Sequence, residues 1–344
     1  MMDRIKQLDQ TLSIIIPTRN DRPFLLKLLT KLSELPIECL ELLIIDSSDT
    51  KQSLPDDFKS LFNKKSYEVK HIFSEASSPG ASRNEGVNFA QGDWLGFLDT
   101  KTIPNLLWVD SCKEIILNNQ FNGLWGNTKY LGNSLYENII IASTYGFKEL
   151  ITVPGMVIKR EVFFQVGNFL PSLLAGEDTD WIIRLKQHQI SLQLPTSKTI
   201  DYYGIAELNL FKIIKKWFQN YRACRSVAHL KDHRIIYLAF FNIFILLLVF
   251  NWNSAFANWD INSEFFIPNI SKITATIIFA VYFLFRAILL PLLRGCSVKF
   301  LLSGNFILIF GLGAIIDCIK FIAFFPSFKS LKTSLQRILH RAQI

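Results

Sequence analysis

Apolar residues follow two different rhythms along this chain. Up to about residue 205 they come in short bursts between polar turns; beyond about residue 234 they run in long stretches rich in Phe, Ile and Leu. In the first part, Leu12 to Pro17 (LSIIIP) is a continuous apolar run closed by proline, the pattern of a strand buried on both faces. Phe24, Leu25, Leu28, Leu29 and Leu32 then recur at helical spacing, with Asp21 placed as an N-cap. Leu40 to Ile45 reads as a second strand ending in Asp46, and Tyr67 to Phe73 as a third, weaker one. Ser78, Pro79 and Gly80 open a helix through ASRNEGVNFAQ that Gly92 ends, and Asp93 to Leu98 is a fourth strand. Short connections between alternating strands and helices predict a right-handed parallel α/β sheet.

The fourth strand stops abruptly in Asp99, Thr100 and Lys101, the second in Asp46, and the first in Pro17, Thr18, Arg19 and Asn20. Parallel strands put these ends on one rim, where open α/β sheets bind ligands. Two carboxylates and an arginine there suit the ribose, base and phosphates of a nucleotide. The helix opened by Gly80 can add backbone N–H groups, with Arg83 and Asn84 on its first turn. Neither GxGxxG nor GxxxxGK[ST] occurs, which excludes the dinucleotide fingerprint and the P-loop. Asn105 to Leu117 reads as a helix, and residues 121–150 show no clean period. Val153 to Lys159 suggests another strand and Arg160 to Val166 a helical turn. Glu177 and Asp178 then stand in a Gly-led loop before the amphipathic helix of Trp181, Ile182 and Leu185, with Asp178 at or near its start.

The second rhythm reads as membrane. Between residues 208 and 222, Leu210, Ile214, Trp217 and Tyr221 share one helical face and Lys212, Lys215, Lys216 and Arg222 the other, the composition of an interfacial helix. Three apolar segments follow, about 235–252, 273–293 and 301–325, each long enough or nearly so for a hydrocarbon core of about 30 Å. Arg286 interrupts the second; Asp317 and Lys320 interrupt the third at a spacing that lets them neutralise each other. Lys231, His233 and Arg234 before the first segment, and an acidic loop with Asp260 and Glu264 after it, place the first part of the chain in the cytosol. Three full spans put the basic tail outside, against the same rule, so the third segment is re-entrant or the rule fails.

The whole chain has 344 residues and a formal charge of +8, with a mean hydropathy of +0.25 that the C-terminal third accounts for. No zinc-finger spacing or aromatic-basic RNA motif accompanies the basic charge, so a membrane surface or an anionic small ligand explains it better than nucleic acid. The five cysteines are scattered without a CxxC pair, against a structural zinc site or a disulfide framework. The polar start, MMDRIKQLDQ, carries no signal-peptide apolar region.

Taken together, four stretches resemble family 2 glycosyltransferases. They are SIIIPTRND (13–21), LLIIDSSDT (42–50), PGASRNEGVNFAQGDWLGFLDTKTIP (79–104) and GEDTDWIIRL (176–185), the last preceded by VIKREVFFQVGNF (157–169). The resemblance covers about residues 11–205. It implies an α/β GT-A domain, the Rossmann-like fold of nucleotide-diphospho-sugar transferases, followed by C-terminal membrane helices. The expected division is 1–205 for that domain, 206–233 for an amphipathic linker, 234–326 for the membrane segments and 327–344 for a basic amphipathic tail.

The resemblance also implies roles. Asp46 contacts the nucleobase, Arg83 lies near base or ribose, and Asp99 is the first acid of the family's DxD motif. Asp178 is the catalytic base with Glu177 beside it, and the anomeric centre is inverted. The donor is a nucleotide-diphosphate sugar, a UDP-sugar by family default, and the acceptor a glycan or a lipid-linked one at a multi-pass cell (inner) membrane protein with a cytoplasmic catalytic domain. Two departures bear on Mg²⁺ or Mn²⁺. Lys101 stands where the second DxD acid belongs, and DYYG (201–204) lacks the histidine many members carry. Asp99 is then the one metal ligand left, and Lys101 is expected to hold its ammonium near the diphosphate instead. The alternative is a non-catalytic nucleotide-sugar-binding scaffold of the same descent.

Overall fold

A computed structural model describes residues 10–63, 65–118, 120–206, 208–224, 251–269 and 271–324, with Val227 and Asn242 beyond these. Most of the expected segment 235–252 and all of the tail 327–344 lie outside the described residues. The chain divides into two compact units: Met1–Ile141 with Tyr145–Leu208, and Ala142–Thr144 with Asn209–Ile344.

The first unit is built on an eight-stranded sheet. Its strands and helices in chain order are β1 (Leu12–Thr18), α1 (Arg22–Glu34), β2 (Glu41–Asp46), α2 (Asp56–Phe62), β3 (Glu68–Phe73), α3 (Pro79–Phe89), β4 (Trp94–Phe97) and β5 (Thr102–Pro104). They continue with α4 (Leu106–Asn118), β6 (Gly123–Tyr130), α5 (Leu135–Ser143), β7 (Leu150–Lys159), α6 (Arg160–Val166), α7 (Glu177–Gln187) and β8 (Ile200–Tyr202). The strand order is β3-β2-β1-β4-β7-β6-β8-β5.

Every residue of β1 and β2 is buried, because helices cover both faces of the sheet there. The two-residue period divides them. Ile14, Ile16, Leu42 and Ile44 join Leu25, Leu28, Leu29 and Leu32 of α1 and Trp108 of α4; Ile15, Leu43 and Ile45 join Val87 of α3 and Trp181 of α7. Each such aliphatic side chain contributes about 1.5–3 kcal/mol by leaving water. Gly86 is required in α3, since a Cβ there meets Ile15 Cγ2 at 2.4 Å.

The expectation of a parallel sheet holds only for β3-β2-β1-β4. β7 runs antiparallel to both β4 and β6, β8 is parallel to β6, and β5 is antiparallel to β8. Of this second half, β6 lies in residues 121–150, whose period was unreadable for a local reason. At Gly126 a Cβ meets the Pro154 carbonyl oxygen at 2.1 Å, and the β6–β7 register shifts between Leu124 and Gly126. Backbone approach, rather than side-chain alternation, sets this pairing.

The second unit is helical. α8 (Leu210–Cys224) buries Ile213, and leaves Leu210 and Phe211 exposed. Two further helices, Lys272–Leu293 (α9) and Val298–Ala323, have a mean hydropathy of 2.3 each and are long and apolar enough to cross a membrane. α9 contains a π-turn, Phe285–Leu289. The last stretch bends at Gly304 (φ 88°), after which α10 runs over Phe306–Phe324. The aromatic face of α8, read as membrane-facing, meets α10 instead: Lys320 Nζ lies 5.2 Å from the ring centroids of both Trp217 and Tyr221. The pairing expected between Asp317 and Lys320 is present at 3.6 Å, but Arg286 of α9 makes the shorter contact to Asp317, at 2.9 Å.

Candidate active site

Because β2, β1 and β4 are parallel neighbours, their C-terminal ends share one rim. Three sets of side chains meet along it. The first is centred on Arg83, which α3 carries under the rim with 2% exposure. Its Nη2 donates to Asp99 Oδ1 at 2.8 Å and its Nη1 to Glu177 Oε1 at 2.9 Å. Burial works against this charge, yet Asp99 and Glu177 outweigh it and hold the guanidinium firmly protonated. Burial raises Glu177 above the ordinary carboxylate range, opposed by Arg83 and reinforced by Asp178. Arg83, expected near the base or ribose, is thus a buried clamp between two carboxylates.

Glu177 begins α7, with Gly176 (φ 82°) as the cap residue. Asp178 is half-buried on the first turn, and its Oδ1 accepts from the Thr179 backbone N–H at 2.7 Å. Gly80, expected to offer its N–H to a ligand, is buried instead: a Cβ there meets Phe169 Cβ at 3.0 Å and Glu177 Cγ at 3.1 Å. Its lack of a side chain lets α3 and α7 close on each other. Asn84 also faces inward, donating to the Phe169 carbonyl at 2.8 Å and accepting from the Phe169 N–H at 2.9 Å.

The second set surrounds Lys101. Asp99 closes a tight turn through its carbonyl, which accepts from Thr102 Oγ1 at 2.6 Å, and β5 follows directly. The Lys101 carbonyl accepts from the Tyr203 N–H at 2.9 Å, so the turn is tied to the end of β8. A Cβ on Gly204 meets Lys101 Cδ at 2.7 Å and the Tyr202 hydroxyl at 2.5 Å, so glycine makes room for the lysine stem. Lys101 Nζ ends 2.8 Å from Asp21 Oδ1 and 5.2 Å from the Phe24 ring centroid. Asp21 occupies the N-cap position of α1 but makes no side-chain cap bond; its carboxylate serves Lys101.

The third set holds the ends of β1 and β2. Asp46 is 6% exposed, and its carboxylate is bonded to His71 Nε2 at 3.0 Å and to the Ser48 N–H at 2.9 Å. Burial pulls its pKa up, but the His71 and Ser48 bonds outweigh this and hold it below the ordinary range. Arg19 and Asn20 (φ 55°) both reach Asp49, at 3.2 and 2.9 Å. Pro17 and Thr18 lie within β1, paired with Ile45 and Asp46.

Sequence reading missed His71, Asp21 as the partner of Lys101, and an aromatic group. Tyr130 stacks on Tyr145 with centroids 4.1 Å apart, and Tyr202 tilts against it at 4.8 Å. Burial pushes the Tyr130 hydroxyl well up, helped by Tyr145, Tyr202, Asp178 and Asp99. For His71 the signal was available: a histidine inside a strand, level with Ile44 of its buried neighbour and two positions short of Asp46. Tyr130 and Tyr145 lay in the stretch without a period.

The donor atoms here do not suit a chelated divalent cation. Asp99 already holds Arg83, the second acid position carries Lys101, and among the described residues no three His, Cys, Asp or Glu side chains gather.

The mixed eight-stranded sheet with its helices has the GT-A fold. A solved structure with the same fold is mannosyltransferase PcManGT from Pyrobaculum calidifontis, in complex with GDP-Man and Mn²⁺. It has a TM-score of 0.52 over 90% of this chain and 87% of that one, at 13% identity. The model of glycosyl transferase family 2 matches residues 13–147. Among curated relatives the chain is 25% identical over 196 residues to an uncharacterized glycosyltransferase of Haemophilus influenzae, covering 51% of this chain. It is likewise 25% identical over 195 residues to glycosyltransferase AglE of Haloferax volcanii, covering 52% of this chain. The match spans 62% of the length of each relative.

Proposed function

We propose that the sheet unit moves a sugar from a nucleotide-diphosphate donor to an acceptor hydroxyl with inversion at C1. The observation that supports this best is the Arg83 clamp, which joins the acid ending β4 to the residue preceding Asp178. In this reading Asp178 takes the acceptor proton, the acceptor oxygen bonds to C1, and the C1–oxygen bond breaks with its electrons leaving on the nucleoside diphosphate. Asp46 faces the base, with His71 holding its carboxylate in place. Arg19, Asn20 and Asp99 line the rim. Lys101 answers the diphosphate: that group carries more charge than the Asp21 carboxylate and competes for the ammonium. The donor is a UDP-sugar by family default. The helical unit is membrane-embedded and transfer takes place at the cytosolic face, which suits a lipid-linked acceptor in surface polysaccharide or glycolipid assembly.

A thermal-shift panel of nucleotides and nucleotide sugars identifies the donor. Asp178→Asn is then expected to keep donor binding and to lose about 10²–10⁴-fold in transfer. Transfer surviving in that variant removes Asp178 as the base. Donor binding without transfer by the unaltered protein, for every acceptor tried, favours the scaffold reading that Lys101 invites. For Lys101, transfer is expected to persist in EDTA and to fall at least about tenfold in Lys101→Ala. Complete loss on chelation with recovery in Mn²⁺, or an unchanged Lys101→Ala turnover, overturns its role.

A further inference from the structure

The helical unit buries an arginine that the transfer chemistry does not use. Arg286 is 1% exposed and lies in the π-turn of α9. Its Nε donates to Asp317 Oδ2 at 2.9 Å, and the Tyr282 hydroxyl donates to the same oxygen at 3.1 Å. Its Nη2 donates to the carbonyls of Ser143 at 3.1 Å and Gly313 at 3.2 Å. Among the described residues its Nη1 is buried without an acceptor. Arg294 Nη1 donates to the same Ser143 carbonyl at 3.4 Å, and Lys320 stands 3.6 Å from Asp317. Arg286 and Lys320 thus meet one carboxylate, and Arg294 shares the Ser143 carbonyl with Arg286.

A helix-to-helix ion pair needs only one arginine and one acid. More has been built here. A methyl group on Gly313 would lie 2.6 Å from Arg286 Cζ, so glycine opens the space that the guanidinium fills. The π-turn turns that side chain inward, and such turns concentrate at functional sites. Charge within an apolar helix is costly and is kept where it serves a ligand or a path. A planar guanidinium with a donor still unmatched, beside a second arginine and a lysine, is the chemistry that recognises phosphate. Trp217 and Tyr221, which flank Lys320, are residue types that favour the headgroup level of a bilayer.

We infer that Arg286, Arg294 and Lys320 form a binding site for the phosphate of a lipid headgroup. The inference rests on the proposed function only in expecting a lipid-borne substrate. It is tested on the full chain in phosphatidylcholine nanodiscs containing a long-chain polyprenyl phosphate, with retained lipid measured by native mass spectrometry. Retention is expected to exceed that of the uncharged polyprenol at least about tenfold, and to fall about tenfold in Arg294→Gln and in Lys320→Gln. Lys320→Arg is expected to keep it. Arg286→Met risks misfolding, so the milder variants decide, each accepted only with an unchanged circular dichroism spectrum and elution volume. Equal retention of polyprenol and polyprenyl phosphate, or no change in either glutamine variant, overturns the site. Inorganic pyrophosphate binding these residues when the lipid does not overturns the lipid assignment. Nucleotide-sugar binding is read on the same preparation; its loss with lipid retention intact defeats the proposed function and leaves this inference standing.

Discussion

Each unit of this protein buries an arginine, and the two surround it with opposite charge. Arg83 is 2% exposed and lies between Asp99 and Glu177, with Asp178 next in the chain. Arg286 is 1% exposed and meets Asp317 and two main-chain carbonyls, with Lys320 and Arg294 close by. Among the described residues acids outnumber cations in the first cluster, and burial together with Asp178 raises Glu177 against the pull of Arg83. Cations outnumber acids among the described residues of the second, so it favours holding an anion. Among the described residues each arginine also keeps one buried donor unmatched, Nε in Arg83 and Nη1 in Arg286. The balance of charge around a buried arginine, rather than its burial, indicates what the cluster can do.

The largest expected break in this comparison is Arg83→Met. It leaves two inward-facing carboxylates without their cation and is expected to cost about 3–5 kcal/mol, read from denaturant midpoints. Arg83→Lys keeps the charge but not the fork, and is expected to cost less. A loss below about 1 kcal/mol in Arg83→Met would mean that Asp99 and Glu177 find water or protons readily, and that the clamp is not structural. In the helical unit the corresponding break is steric. Gly313→Ala pushes a methyl group into Arg286 and is expected to cost about 1–3 kcal/mol, measured as a lower thermal midpoint of the detergent-solubilised chain.

The smallest expected effect sharpens the comparison with a one-to-one pair. His71→Asn removes the bond that keeps Asp46 below its ordinary pKa, at a cost of about 1–2 kcal/mol at neutral pH. The folded-state pKa of Asp46 is depressed, so its stabilisation is present above the unfolded value and is lost as pH falls through the folded one. The difference between the two proteins should therefore close as pH drops below about 4. A difference independent of pH assigns the effect to packing of the imidazole against Phe73, whose ring centroid is 4.7 Å away.

Most of the rim was legible in the sequence. Runs such as LSIIIP and LELLII announce buried strands, and whatever polar residue ends them must sit on the edge of the sheet. That placed Asp46, Asp99 and Arg19 at the rim, as the structure has them. Partners were not legible. Arg83 looked like a ligand contact because its helix starts at the rim, yet it spans to a residue 94 positions later. Gly80 looked like a phosphate cradle and is the close-packing point of α3 against Glu177. Asp21 fits every rule for a cap, and its carboxylate answers a lysine about 80 positions away, delivered by the β4–β5 turn. In the helical unit the spacing of Asp317 and Lys320 suggested a local pair, whereas the shorter contact comes from Arg286 on another helix.

What the sequence by itself determined are the properties that depend on neighbours along the chain. These are the strand and helix periods, the acids at strand ends, Lys101 in place of an acid, and the two long apolar helices. The tertiary structure decided the rest: the antiparallel half of the sheet, the Arg83 clamp, the Lys101–Asp21 pair and the cations gathered at Arg286. The reason is physical. Periodicity is written in the repeat of a local backbone conformation, while a buried charge chooses its partner from whatever folding brings within about 3 Å, at any distance along the chain.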